Sequence, residues 1–218
     1  MHASRLSLAG SFLVLAVLSG CGGSSSTAPT NPVDGFKDPR DGMIYDVVKI
    51  GTQTWFAENL DYKGIGKDTV GVCSQFKVDN CDLYGRLYTW AEAMGVSSTY
   101  NTSLLSAKGT IQGICPAGSH LPSDSEWVVL DSAVHGKAER LESQLWNGND
   151  TTGFGVLPGS SRQATGAFND PGQDAYFWTS HETYPFEAAY RYFLDSDLLV
   201  HVFSYSKSSS LSVRCLVN

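Results

Sequence analysis

Two runs rich in apolar and β-branched residues, Met43 to Ile50 and Gln53 to Leu60, flank Gly51-Thr52 and predict a β-hairpin. From Asp61 to Asn80 the chain turns to Gly, Lys and Asp, which predicts a loop. Helical signals follow. Thr89-Trp90-Ala91-Glu92 has the form of a capping box, with Thr89 accepting from a first-turn amide and Glu92 reaching back, and Gly95 is placed to end a short helix. Ser123-Asp124-Ser125-Glu126 repeats the signature, and Trp127, Leu130 and Val134 then fall on one helical face before Gly136. A third helix is predicted over 137–146, with Leu141 and Leu145 on one face ahead of Gly148. Beyond it the pattern is of strands: Phe154 to Leu157, Tyr176 to Ser180, Ala188 to Leu194, Leu198 to Tyr205 and Leu211 to Val217. In the last, Val213, Cys215 and Val217 point one way and Ser212, Arg214 and Leu216 the other. A hairpin, then helices, then a run of strands predicts an α+β domain.

The amino terminus has a different pattern. Arg5 precedes an apolar stretch, Leu6 to Leu18, that is too short to span a bilayer as a helix and reads as an export signal. It closes with Leu18-Ser19-Gly20-Cys21, which resembles the lipobox of bacterial lipoproteins; the resemblance implies that residues 1–20 are removed and that Cys21 is acylated with palmitate-like chains. The segment also fits an ordinary secretory signal cut nearby. Several acyl chains, at about 0.8 kcal/mol per buried methylene, would hold the protein at a membrane. Gly22 follows the cysteine in place of the aspartate associated with inner-membrane retention, so the outer membrane, on its periplasmic side or at the cell surface, is the expected site. Residues 21–37 are mostly Gly, Ser, Thr, Ala, Pro and Asn, cannot repay the entropy of ordering, and are expected to form a flexible tether. Residues 38–218 are enough for one domain with its own core.

Composition narrows the function further. The net charge is −7 and the acids are scattered, which argues against a nucleic-acid partner. Besides Cys21, the chain has Cys73, Cys81, Cys115 and Cys215, an even number in a compartment that permits disulfides. Three pairings are open; Cys73 with Cys81 closes a short local loop and leaves Cys115 for Cys215. Catalytic templates fail one after another. Gly64-Ile65-Gly66 is followed by Thr69 where a dinucleotide fingerprint needs glycine, and Lys67 by Asp68 where a phosphate loop needs Ser or Thr. Gly159-Ser160-Ser161-Arg162-Gln163 lacks the second glycine of a nucleophile elbow. His181-Glu182 meets Pro185 where a zinc-protease helix needs its second histidine. His120, His135, His181 and His201 are dispersed, and Asp195-Ser196-Asp197 and Asn147-Gly148-Asn149-Asp150 read as turns before they read as calcium loops. No catalytic residue, metal ligand or cofactor is therefore expected.

Residues 176–205 hold ten of the chain's aromatic residues (Trp 5, Tyr 10, Phe 10 in all). On a strand Tyr190 and Tyr192 share one face, and Arg191 and Phe193 the other. Such rings fill a sheet core, stack on sugar rings or anchor a protein partner. Trp178, Tyr184, Tyr190, Arg191 and Tyr192 are the candidate ligand-binding residues. An enzyme built on Asp124 or Asp195 with Arg191 is the remote alternative.

Several blocks together identify a family. Gly42-Met43-Ile44-Tyr45, Gly51-Thr52-Gln53-Thr54-Trp55-Phe56-Ala57-Glu58-Asn59-Leu60 and Tyr84-Gly85-Arg86-Leu87-Tyr88-Thr89-Trp90 resemble the Fibrobacter succinogenes major paralogous domain. Cys115-Pro116-Ala117-Gly118-Ser119-His120-Leu121-Pro122-Ser123, Phe177-Trp178-Thr179-Ser180 and Ser212-Val213-Arg214-Cys215-Leu216 follow in the same order. The resemblance implies one domain behind a lipoprotein signal and a Cys115–Cys215 bridge, and brings no activity with it. At longer reach, Leu121-Pro122 leading to Glu126-Trp127, with a closing Val213-Arg214-Cys215, is similar to formylglycine-generating enzymes and C-type-lectin-like domains. That similarity implies a C-type-lectin-like mixed sheet with two or three short helices and long loops, and an N-terminal strand near the C-terminal one. Neither the paired active-site cysteines nor a Glu-Pro-Asn or Gln-Pro-Asp sugar motif is present. The expectation is an envelope-anchored, non-catalytic binding or adhesion module for a polysaccharide or a protein partner; the second reading is a structural envelope protein.

Overall fold

The computed structural model describes residues 33–66, 69–195 and 197–218. The expected export segment, Cys21 and most of the expected tether lie outside them. β1 (Val33–Lys37), β2 (Ile44–Ile50) and β3 (Gln53–Phe56) run as an antiparallel meander, with Gly51 taking the left-handed φ of 60° that the β2–β3 turn requires. β1 falls inside the stretch expected to be tether. The short apolar signal there is one ring: Phe36 lies 5.1 Å from Phe56 and packs on the core. Tyr45 and Val47 on β2 face one core, and Val48 and Ile50 face a second, so this sheet is buried on both sides.

The central part is loop-rich. α1 (Val78–Tyr84) is a short helix that the loop reading did not anticipate; the Cys73–Cys81 disulfide pins its middle. β4 (Leu87–Thr89) leads into α2 (Trp90–Met94), whose Thr89/Glu92 capping box is formed and which stops at Gly95, φ 68°. β5 (Ser119–His120) precedes α3 (Asp124–Ala133), capped in the same way by Ser123 and Glu126, and Trp127, Leu130 and Val134 are buried as their spacing predicts. The third predicted helix does not form. Only a 3₁₀ turn, Ala138–Arg140, is present, Leu141 is fully buried and Leu145 is 85% exposed. The backbone there is drawn into extended pairing instead: Ser143 N–H donates to the Val156 carbonyl and Val156 N–H to that of Leu141, both at 2.9 Å. Those bonds also leave 154–157 as a single bridge rather than the strand expected.

The remaining strands are β6 (Ser161–Arg162), β7 (Phe168–Asn169), β8 (Ala175–Tyr184), β9 (Glu187–Phe193), β10 (His201–Ser206), β11 (Ser210–Ser212) and β12 (Leu216–Val217). One sheet has the order β1-β2-β3-β12-β5; the other has β10-β9-β8-β11-β6-β7, with β4 also paired to β11. The chain is an α+β domain. The predicted strand 211–217 is thus two strands in two sheets, joined by Val213-Arg214-Cys215. Val213 and Cys215 join the core of Trp90, Trp178 and Leu211, whereas Leu216 enters that of Trp55, Trp127 and Phe177. The second disulfide, Cys115–Cys215, fastens this crossing to a loop 100 residues earlier.

Arg214 occupies the junction and is fully buried. Its Nε and Nη2 donate to Asn59 Oδ1 at 2.9 and 2.6 Å, and its Nη1 to the carbonyls of Phe56, at 3.2 Å, and Phe154. The guanidinium lies 4.4 Å from the centre of the Phe154 ring. With neutral acceptors only, burial pulls its pKa down to about 9.

Candidate functional site

The antiparallel register of β8, β9 and β10 sorts the aromatic residues. Tyr176 lies opposite Tyr192, which lies opposite His201; Trp178 lies opposite Tyr190, which lies opposite Phe203; Ala188 lies opposite Tyr205. Because directly paired residues project to the same side of a sheet, these side chains form one aromatic face. Ring centroids are 6.0 Å apart for Tyr176–Tyr192, 5.5 Å for Tyr190–Tyr192, 4.9 Å for Tyr192–His201 and 5.7 Å for Tyr192–Phe203. Trp178 is 0% exposed and its indole N–H donates to the Tyr88 carbonyl at 2.8 Å. It projects from the same side of the sheet as Tyr190 but is wholly covered, and burial removes it from direct ligand contact. Phe203, 59% exposed, forms the outer edge, and Tyr176, Tyr190, Tyr192, His201 and Tyr205 are half-buried between.

Polar groups border the rings. The Tyr176 hydroxyl lies 3.0 Å from Asp170 Oδ2 and 3.1 Å from Asp174 Oδ2, able to donate to either. Asn169 Nδ2 donates to the Tyr205 hydroxyl at 3.4 Å, and Gln163 Nε2 to Asn169 Oδ1 at 2.7 Å. His201 Nε2 meets Asp197 Oδ2 at 2.8 Å. Burial, followed by the hydrogen bond to Asp170, raises the Tyr176 phenol; burial and the neighbouring Tyr192 and Tyr205 push Tyr190 up to about 12. Both remain neutral hydroxyls at any physiological pH. The hydrogen bonds from His201 and the Leu199 amide hold Asp197 below the ordinary carboxylate range.

The other sequence candidates are placed elsewhere. Arg191 is buried on the opposite side of β9, where Nη2 donates to the Asp124 carbonyl at 3.1 Å and to Asp124 Oδ1 at 2.9 Å, clamping the sheet to the first turn of α3. Asp124 and Arg191 therefore do meet, and Asp195 instead lies against Asn147 and Asp174. His181 Nδ1 is 3.7 Å from Asp124 Oδ2 at the rim of a 630 Å³ cleft that Ser125, Ser180 and Glu182 also line. Tyr184, 61% exposed, is at the end of β8, away from the stacked rings. Of the five candidates, Trp178, Tyr190 and Tyr192 lie on the aromatic face, and of these Tyr190 and Tyr192 reach its surface. A second cavity, of about 370 Å³, is bordered by Tyr45, Glu58, Asp61, Asp82 and Leu83 with Arg214 at its wall. The guanidinium there is already committed to main-chain and Asn59 acceptors, which gives it a structural role.

Sequence reading missed His201, Phe203 and Tyr205 as neighbours of Tyr190 and Tyr192; their alternation was visible, but not which residues they would face. Asp170, Asp174 and Asn169 carried no signal. Among the described residues no three His, Cys, Asp or Glu side chains are grouped to hold a metal, and no helix is long and apolar enough to cross a membrane.

A family model described as the Fibrobacter succinogenes major domain matches residues 48–216. No curated protein and no solved structure matches the chain.

Proposed function

We propose that this chain, which belongs to the Fibrobacter succinogenes major domain family, is a non-catalytic binding module of the bacterial envelope whose aromatic face on β8, β9 and β10 receives a polysaccharide. The family description names a domain and no activity, so the reading rests on chemistry. What carries it is the pairing of an open row of rings with a border of carboxylates and amides. The rings offer flat apolar surface to the faces of sugar rings, and the border offers acceptors and donors to their hydroxyls. An open row suits an extended polymer, which passes across it and leaves at both ends. The export segment before Cys21 and the two disulfides support a location outside the reducing cytoplasm, with the acylated cysteine as anchor.

The test is a glycan array followed by polysaccharide pull-down, repeated with Tyr192→Ala and Phe203→Ala. Removing one stacked ring forfeits about 1 kcal/mol, so each variant is expected to bind roughly 5-fold more weakly with an unchanged Tm for Phe203→Ala. No binding to any polysaccharide refutes the reading. A structural envelope role is the second reading, favoured by the packing of Tyr176, Tyr190 and Tyr205 against the core. It is supported if Tyr192→Ala unfolds the domain and intact protein binds nothing.

A further inference from the structure

β10 is the last strand of its sheet: β9 pairs with one side of it, and no described strand pairs with the other. A row of backbone N–H and C=O groups is therefore left without ladder partners. Natural edges discourage pairing with lysine, proline, bulges, inward charges or very short length. The other edges use such devices. β5 and β7 are two residues long, and β1 carries Lys37 and a register irregularity. β10 has none: its six residues, His-Val-Phe-Ser-Tyr-Ser, include no Lys, Asp, Glu or Pro, and its register against β9 is unbroken. Val202, 46% exposed, and Phe203 put apolar surface on both faces of this edge.

We infer that β10 pairs antiparallel with β10 of a second copy of this chain, about a two-fold axis at Phe203, so that two sheets become one. In that register Phe203 stands opposite the partner's Phe203, and His201 opposite the partner's Tyr205. All three residue types lie on the aromatic face, so ring meets ring along the seam. Charge sets the orientation of the two copies, and the register that places ring against ring along the seam is what suits a second copy. The acids Asp195 and Asp197 precede β10, and antiparallel pairing sets them beside the partner's serine-rich turn between β10 and β11. The one cation of that turn, Lys207, is buried on Glu182. Parallel pairing would oppose acid to acid. The dimer carries two aromatic faces side by side on one surface, whatever ligand those faces take.

The experiment uses the full chain with Cys21→Ser, which removes the acylation site. By light scattering over a concentration series, the mass is expected to rise toward twice that of one chain, while Phe203→Lys stays at one chain with its circular dichroism unchanged. Directly opposed Cα atoms in such a pair lie about 4.5–5.5 Å apart, within disulfide reach. Phe203→Cys, the only free thiol in that background, should therefore be captured as a covalent dimer on mild oxidation, and Thr165→Cys should not. A single-chain mass at every concentration overturns the inference. So does a dimer that survives Phe203→Lys and is not captured through Phe203→Cys. The capture result stands by itself if the lysine variant fails to fold.

Discussion

Replacing Glu182 by Gln probes the one fully buried ammonium among the described residues. Lys207 Nζ bonds Glu182 Oε1 and donates to the carbonyls of Ser103, at 3.2 Å, and Pro185, at 3.0 Å, and it stands 4.5 Å from the centre of the Trp90 ring. Glu182 also accepts from the backbone amides of Leu105 and Ser106, each at 2.9 Å. One ion pair thus joins the 103–106 loop, the end of β8 and the turn before β11. Glu182→Gln leaves the lysine charge dehydrated, and breaking a buried pair from one side costs about 3–5 kcal/mol. Because the Glu182 side chain keeps 11% of its surface exposed, the lower end, about 3 kcal/mol, is expected. For a domain of this size that is a fall of roughly 6–12 °C in Tm. Lys207→Met removes the buried charge itself and leaves Glu182 its two amides, so it should cost less, and the double variant should recover part of the Glu182→Gln loss. Acid adds a second readout. Burial opposes ionisation of Glu182, but hydrogen bonds from Lys207, Leu105 and Ser106 carry its pKa below the ordinary range. Its stabilisation is complete above the unfolded value of about 4.3 and is lost as pH falls through the folded one. Urea melts from pH 3 to pH 7 check both points. A Glu182→Gln variant within about 1 kcal/mol of the parent, the range of surface pairs, with the same acid profile would refute the reasoning.

Arg214→Lys should cost about 3 kcal/mol, because a single ammonium cannot reach Asn59 and two carbonyls together, and denaturant melts will measure it. Removing the Cys115–Cys215 bridge should lower stability by about 4.7 kcal/mol and removing Cys73–Cys81 by about 2.5 kcal/mol in the chain-entropy model; paired Cys→Ala variants, melted by calorimetry, should show that order. Glu142 is buried with an unpartnered oxygen, and burial, then Glu139, Asp195 and Asp197, push its pKa up to about 7. Its protonated form belongs to the folded state, so stability is full below about pH 4.3 and is lost as pH rises through 7. Glu142→Gln should abolish that decline, leaving the variant ahead of the parent at pH 8 and level with it at pH 4 by thermal melting.

Local signals were legible where short-range chemistry decides the outcome. The capping boxes at Thr89 and Ser123 and the glycine turn at Gly51 form as their residues predict. Helical spacing at Leu141 and Leu145 misled, because backbone bonds to Val156 took that segment into an extended path and left Leu145 in solvent. The alternation after Leu211 is correct residue by residue, with Val213 and Cys215 in one core and Leu216 in the other. What alternation cannot express is a change of sheet between them. The same limit held at the aromatic face. Composition picked out Tyr190 and Tyr192, but their neighbours on β10 depend on how the chain returns between 194 and 200, and no periodicity records that. The polar border needs still more distant information, since Asn169 reaches Tyr205 from another strand of the curled sheet.

The crossing at 210–217 also dictates when the domain can be finished. Every strand that β11 and β12 join precedes them in the chain, as do Asn59 and Phe154, which hold Arg214, and Cys115, which takes Cys215. A growing polypeptide that stops short of Ser210 therefore has two unclosed sheets and an unmatched thiol. Completion waits for the last segment to emerge, so synthesis must run past Val217 before both sheets can close.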